Sequence, residues 1–333
     1  MSGLPYSATI AVVIPCFRVK AHILPLLGKI GAEVHRIIVV DDRCPEGTAD
    51  HVEMHCADPR VIIHRNPVNL GVGGAMVEGY RRAIAEGIDI AVKLDGDGQM
   101  DPSLLPRFVA PILVGEADYT KGNRFHNPRD VRQMPGVRIF GNVALSFLTK
   151  LSSGYWSVFD PTNGYTAVHV AVLEQLDLDA LSRRYFFESD MLFRLNTVGA
   201  RVMDIPMEAR YADEKSNLSI RRVLLEFPLK HARNLGKRIF YNYFLRDFSV
   251  ASIELLLGLF LLVFGVVMGV TGWLEAAMIG ATASAGTVML AALPIITGVQ
   301  LVLAFLAYDI ASQPRHALHT RLQRGTARDG KAC

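Results

Sequence analysis

The residues best equipped for chemistry are Asp95, Asp97 and Gln99, in the run Leu94-Asp95-Gly96-Asp97-Gly98-Gln99. They follow an apolar stretch, 88–92, that reads as a buried strand, so two carboxylates are presented at a strand's C-terminal end. In open α/β sheets ligands bind at that edge. Asp-x-Asp-x-Gln offers oxygen without sulfur or imidazole, the ligand set of Mg2+ or Mn2+, and such a cation commonly bridges a protein to a diphosphate. The competing reading is an acidic turn in which glycine supplies positive φ.

Other strand ends carry polar groups too. The run 38–42 finishes with Asp41 and Asp42 and enters the turn Pro45-Glu46-Gly47-Thr48. A carboxylate there can accept hydrogen bonds from a ribose or a base N–H, or it can cap the following helix. Asn69-Leu70-Gly71-Val72-Gly73-Gly74 then opens a helix. Glycines at a helix N-terminus let backbone N–H groups approach phosphate, although this run is neither a Walker loop nor G-x-G-x-x-G. His51 and His55 stand four apart on a predicted helix, but without His-Glu-x-x-His they read as an exposed face.

The elements that must position these groups alternate. Strands are predicted at 9–15, 34–41, 60–64, 88–94 and 117–120, and helices at 21–30, 49–56, 75–85 and 103–114. Such alternation implies right-handed βαβ units and a mostly parallel α/β sheet. Beyond residue 125 proline and asparagine interrupt the pattern, as loops that shape a binding site would. A chain of 333 residues allows one soluble domain of roughly 210 to 250 residues plus an appendage. The expected divisions are 1–214, a basic juxtamembrane region at 215–249, apolar spans within 250–308, and a tail at 309–333.

The spans are predicted at 250–271 and 287–308, each near the roughly 20 residues that cross a bilayer core. Thr271-Gly272-Trp273-Leu274-Glu275 and the small residues of 280–286 are read as the turn between them. The net charge of +3 hides a strong asymmetry: residues 215–246 hold eight basic side chains against Glu226 alone, and the tail is basic as well. By the positive-inside rule both flanks face the cytoplasm, which predicts a multi-pass protein of the plasma membrane. The four cysteines show no paired spacing and fit a reducing compartment, and the N-terminus lacks a signal-peptide pattern. A basic stripe abutting a membrane span points to lipid rather than nucleic acid. Gly258, Gly265 and Gly269 would permit close helix packing, which leaves a homo-oligomer open.

In order, Ile14-Pro15-Cys16, Val39-Val40-Asp41-Asp42, Asn69-x-Gly71-x-Gly73, Asp95-x-Asp97-x-Gln99 and Gly122-Asn123-Arg124 resemble the family 2 glycosyltransferases of GT-A fold. With Asp160-Pro161-Thr162-Asn163-Gly164-Tyr165, Phe187-Glu188-Ser189-Asp190 and the paired spans, the chain is similar to the polyprenyl-phosphate branch typified by dolichol-phosphate mannose synthase. The resemblance implies Mg2+ or Mn2+ on Asp95, Asp97 and Gln99, and a nucleotide-sugar donor contacted by Pro15, Asp41, Asp42, Asn69, Gly71, Gly73, Asp95 and Gly122. It implies catalytic roles for Asp97, Glu188 and Asp190, with Arg124 and Arg210 helping the leaving diphosphate. Arg233, Lys237 and Arg238 would meet the phosphate of a polyprenyl acceptor, and Ser216 and Asn217 would lie in a loop closing over the donor. One departure is Phe17-Arg18-Val19, where many relatives have Tyr-Asn-Glu; a carboxylate near the nucleotide is missing, so base preference does not carry over. A lipid phosphate arrives already ionised, so no base is required. Transfer to a diacylglycerol or other lipid hydroxyl would need one, and a non-catalytic nucleotide-sugar-binding scaffold would have less need of the metal set.

Overall fold

The computed structural model describes residues 8–126, 136–208 and 220–323. They form two compact units: one runs to Leu235 and resumes at Pro314, and the other is Gly236–Gln313.

The first unit is built on one seven-stranded sheet. Its strands are β1 (Ile10–Cys16), β2 (Arg36–Asp41), β3 (Val61–Arg65), β4 (Ile90–Lys93), β5 (Tyr119–Asn123), β6 (Thr166–His169) and β7 (Val202–Pro206), in the order β3-β2-β1-β4-β6-β5-β7. All run parallel except β6, which is antiparallel to both β4 and β5. Helices α1 (Lys20–Leu27), α2 (Thr48–His55), α3 (Gly71–Ala85) and α4 (Leu105–Leu113) follow the first four strands, as the alternation predicts. Strands β1 and β4 are apolar on both faces because helices cover both: Val13 and Ala91 join the core under α3, and Val12 and Val92 join the core under α1 and α4. Later come α5 (Gly136–Ser153), α6 (Phe187–Val198) and α7 (Ile220–Phe240), whose last turn belongs to the second unit.

Reversal of β6 is the departure from simple alternation, and it has a consequence for position. An antiparallel strand begins where its parallel neighbours end, so the loop 160–165 reaches the same edge as Asp41 and Asp95.

The tail after the spans is not free. Asp118, fully buried before β5, accepts hydrogen bonds from the N–H groups of Leu318 (2.7 Å), His319 (2.9 Å) and Arg201 (2.7 Å), and its carboxylate meets His319 Nδ1 at 2.7 Å. Burial opposes the charge on Asp118, but these bonds win and hold it below the usual carboxylate range. The His319 ring stacks on His169 at 4.2 Å between centroids. The described cysteines, Cys16, Cys44 and Cys56, are free thiols.

The second unit holds α8 (Val250–Met278) and α9 (Ala285–Ala311), with mean hydropathy of 2.6 and 2.3 in their most apolar windows. Both are long and apolar enough to cross a membrane. Residues 271–275 are helical, which corrects that part of the expected turn: the Thr271 hydroxyl donates back to Val267 O at 2.9 Å, and the chain leaves the helix only after Met278, with Gly280 at φ +67°. Pro294 lies inside a continuous α9. The glycines expected to permit close helix packing face the partner helix of the same hairpin. A Cβ on Gly265 would lie 2.7 Å from Ala291 O, and one on Gly258 would lie 3.2 Å from Gly298 O, so they let the two helices of one hairpin approach.

Arg238 also departs from expectation. Its guanidinium is buried against Asp309 (NH1 to Oδ1 2.5 Å, NH2 to Oδ2 3.0 Å), and the Tyr243 hydroxyl donates to the same carboxylate at 2.6 Å. This pair joins the end of α7 to the end of α9, so Arg238 is a structural cation and not an acceptor-phosphate ligand. Arg233 and Lys237 remain exposed.

Two predictions follow from these buried charges and rings. Arg238→Ala removes the guanidinium that neutralises the buried Asp309 carboxylate, which should cost about 3 to 5 kcal/mol. A lowered Tm in detergent would bear this out, whereas an unchanged Tm with a raised KM for acceptor would return Arg238 to the binding site. Burial pulls His169 and His231 down to about 4 from 6.5. The unfolded chain then binds more protons between those values, so these rings make stability fall as pH drops through that window, by up to about 3 kcal/mol each. His231→Gln can still meet the Ser152 hydroxyl, now 2.7 Å from Nδ1. Thermal melts at pH 7 and pH 5 should show a smaller acid loss for this variant than for the native chain.

Candidate active site at the C-terminal edge of the sheet

The strand order reverses between β1, which leads out to β2 and β3, and β4, which leads the other way. That is the switch point at which open α/β sheets bind ligands. Asp95 follows β4 directly there. Its loop is tight against β1: a Cβ on Gly96 would press on Val19 at 2.9 Å and approach the Pro15 carbonyl at 3.4 Å. Asp97 accepts the Gln99 N–H at 3.0 Å, and Gly98 takes φ +75°. The acidic-turn geometry and the ligand chemistry therefore coexist in the same five residues.

Beneath Asp95 lies a row of polar and charged side chains that no motif in the sequence marks. Lys93, Thr166 and Lys121 are neighbours across β4, β6 and β5, and Asp204 of β7 continues the row. Residues in register point to one face of a sheet. All but Asp204 are almost fully buried. Lys93 Nζ lies 2.7 Å from Asp95 Oδ1 and 3.3 Å from Glu188 Oε1. Burial opposes its charge, yet the Asp95 and Glu188 carboxylates hold it above the usual lysine range. Lys121 Nζ donates to the Asn163 carbonyl, and burial pulls it down to about 8. Burial likewise pushes Asp204 up to about 6, although Phe159 N–H (3.0 Å) and Asn123 Nδ2 (2.9 Å) donate to it. The available signal was a lysine inside the otherwise apolar strand Ile90-Ala91-Val92-Lys93, since buried lysines are rare unless paired.

The loop 160–165 closes over this row. A Cβ on Gly164 would crowd the Lys93 ammonium and lie 2.6 Å from Asp95 Oδ2, so any larger residue would push these two side chains aside. Gly122, at the end of β5, is equally crowded: a Cβ there would lie 2.6 Å from Asn163 Nδ2. Arg124 forms a bidentate pair with the buried Asp160 (Nε to Oδ2 2.8 Å, NH2 to Oδ1 3.0 Å) and reaches Thr162 Oγ1 at 3.1 Å. Burial disfavours charge on Asp160, and the Arg124 bonds outweigh it. Arg124 thus fastens the loop with its charge already neutralised. Arg210, Ser216 and Asn217 lie outside the described residues.

The two acids at the end of β2 are organisers of backbone. Asp41 accepts from Cys44 N at 2.7 Å and Ala49 N at 3.3 Å. Asp42 accepts from Leu70 N and Gly71 N, both at 2.7 Å, and from Asn66 Nδ2 at 2.9 Å, while Asn69 Nδ2 donates to its carbonyl at 3.1 Å. The N-terminus of α3 therefore already holds an anion, the Asp42 carboxylate, where the sequence suggested a phosphate cradle. Gly71 and Gly73 serve close packing instead, because a Cβ on either would collide with the backbone at Ser182 and Arg183.

Glu188 and Asp190 start α6 but have different surroundings. Glu188 reaches the Lys93 ammonium at the site. Asp190, 4% exposed, accepts from Ser182 N (2.9 Å), Arg194 Nε (3.2 Å) and Asn234 Nδ2 (2.9 Å), which ties the 181–187 segment and α7 together. Its carboxylate is thus engaged by three donors. The oxygen donors of Asp95, Asp97 and Gln99 fit Mg2+ or Mn2+ in type. Among the described residues no three His, Cys, Asp or Glu side chains gather. The protein would supply only part of a coordination shell, as is usual for Mg2+ sites completed by substrate phosphates and water.

Residues 11–177 match the glycosyl transferase family 2 profile. The chain is 33% identical over 201 residues to an undecaprenyl-phosphate mannosyltransferase of Micrococcus luteus, covering 59% of this chain and 81% of the relative. It is 32% identical over 154 residues to a UDP-N-acetylglucosamine–dolichyl-phosphate N-acetylglucosaminyltransferase of Methanococcus voltae, covering 46% of this chain and 61% of that one. The fold also matches glucosyl-3-phosphoglycerate synthase of Mycobacterium tuberculosis, solved with Mg2+ and uridine diphosphate, at a TM-score of 0.52 and 21% identity over 69% of this chain and 79% of that chain. With its GT-A-like sheet and its acids at the switch point, the chain belongs to glycosyl transferase family 2.

Proposed function

We propose that this chain is a membrane-anchored, inverting glycosyltransferase that moves a sugar from a UDP- or GDP-sugar to a polyprenyl phosphate with a divalent cation bound. The observation that carries the choice of acceptor is the engagement of both nearby acids. Asp190 is enclosed by three donors, and Glu188 already accepts the Lys93 ammonium. Neither is placed as an uncommitted base, so an acceptor that needs no deprotonation suits the site. A phosphate monoester, with a second pKa near 6, is such a nucleophile.

Asp95, Asp97 and the Gln99 amide oxygen would hold Mg2+ or Mn2+ against the donor's diphosphate. When bound, the cation supplies neutralisation of the charge that develops on the leaving diphosphate. Asp41 and Asp42 fix the loops beside the nucleoside, and Pro15, Asn69, Gly71, Gly73 and Gly122 give those loops their close packing. Glu188 orients sugar hydroxyls from the start of α6. Arg124 holds the 160–165 loop in place, and Arg210 assists the leaving group. Alignment of an already ionised nucleophile supplies much of the rate, and a single displacement inverts the anomeric carbon.

The acceptor's tail lies in the membrane that receives α8 and α9, and its phosphate meets Arg233 and Lys237 at the headgroup level. Phe240, Tyr241 and Phe248 are exposed and suit that depth. The basic flanks orient the catalytic unit to the cytoplasm of a plasma membrane.

Asp97→Ala should lower transfer by about 100-fold or more, as loss of a group that helps neutralise the transition state does, with an unchanged Tm. Unaltered transfer would remove the metal role. Glu188→Gln should lower kcat with only a modest loss of Tm, since Asp95 still pairs with Lys93, whereas Asp190→Asn should lower Tm first. The reverse pattern would make Asp190 the working acid.

A further inference from the structure

Lys93 is a cation built into the place where a metal is expected. Its ammonium is 1% exposed and shared between Asp95 and Glu188, whose carboxylates are 32% and 12% exposed. It is buried beneath the 160–165 loop and bonded to both carboxylates, at 2.7 Å from Asp95 Oδ1 and 3.3 Å from Glu188 Oε1. A divalent ion reaching Asp95 would therefore share that carboxylate with the resident ammonium.

We infer that Lys93 is a positioning residue with two linked effects: it couples Asp95 to Glu188 at fixed spacing, and it holds back divalent-cation binding until a nucleoside diphosphate adds negative charge. This rests on the proposed function, since Asp95 is taken there as a metal ligand. The physical basis is like-charge repulsion across a shared carboxylate in a poorly solvated site. The diphosphate brings the charge that offsets this repulsion. Metal and nucleotide then bind cooperatively, each strengthening the other by the same factor.

The test uses the full chain purified in detergent, with Mn2+ titrated by electron paramagnetic resonance in the absence and presence of UDP or GDP. For the native protein Mn2+ alone should bind weakly, and nucleotide should tighten it by about tenfold or more, within the usual range of coupled sites. Lys93→Met removes the resident cation at similar length. Mn2+ alone should then bind about tenfold tighter, the nucleotide effect should shrink, and kcat should fall because Glu188 loses its anchor. Lys93→Arg keeps the charge and should keep Mn2+ binding weak. A merely structural lysine predicts unchanged or weaker Mn2+ binding in Lys93→Met, and that result overturns the inference. If Lys93→Met does not fold, Glu188→Gln serves: the ammonium then belongs to Asp95 alone, and Mn2+ without nucleotide should weaken several-fold, while no change overturns the inference. Native protein that binds no Mn2+ with either nucleotide overturns the metal reading itself, and this inference with it.

Discussion

The pairing of the buried Lys93 ammonium with Asp95 and Glu188 is the constraint on which the catalytic edge depends. A lysine at the end of a central strand can be buried only if carboxylates come to it. One is supplied two residues later by the loop after β4 and the other by the start of α6, nearly a hundred residues away. Satisfying this single charge brings two segments together and leaves Asp95 partly exposed at the switch point. The loop 160–165 passes close over the ammonium, where a Cβ on Gly164 would crowd both Lys93 and Asp95.

The same principle joins the rest of the molecule. Asp190 links the 181–187 segment to α7 through Asn234, Asp118 receives the chain as it re-enters the first unit after α9, and Asp309 ties α9 to Arg238 at the end of α7. Each buried carboxylate meets several donors, as a charge removed from water must. Between the two long apolar helices, close approach is left to Gly258, Gly265 and Gly298, where a Cβ would meet the facing backbone.

Much of the first unit was legible in the residues because it is local. Apolar runs of four to seven residues ending in Asp41 or Asp95 mark strands and their C-terminal ends, and the glycines near them mark turns. The ordered motifs then led to the GT-A fold. What could not be read is set by distance along the chain. Nothing near Asp118 announces that residues 318 and 319 will dock there, and nothing near Arg238 announces Asp309. Type alone does not show that Gly71 and Gly73 pack against the 181–187 segment, or which helix Gly265 lets approach. Asp42 shows the same limit: a carboxylate after a strand fits a ribose or a helix N-terminus equally well until the neighbouring N–H groups are located.

The most direct test of the account is sugar transfer from radiolabelled UDP- and GDP-sugars by the purified full chain with Mn2+, offered undecaprenyl phosphate and diacylglycerol side by side. Labelled polyprenyl phosphate from one donor, with none on diacylglycerol, is the predicted result. Transfer to the diacylglycerol hydroxyl in preference to the lipid phosphate would contradict it, because it would require a base where both nearby acids are already engaged.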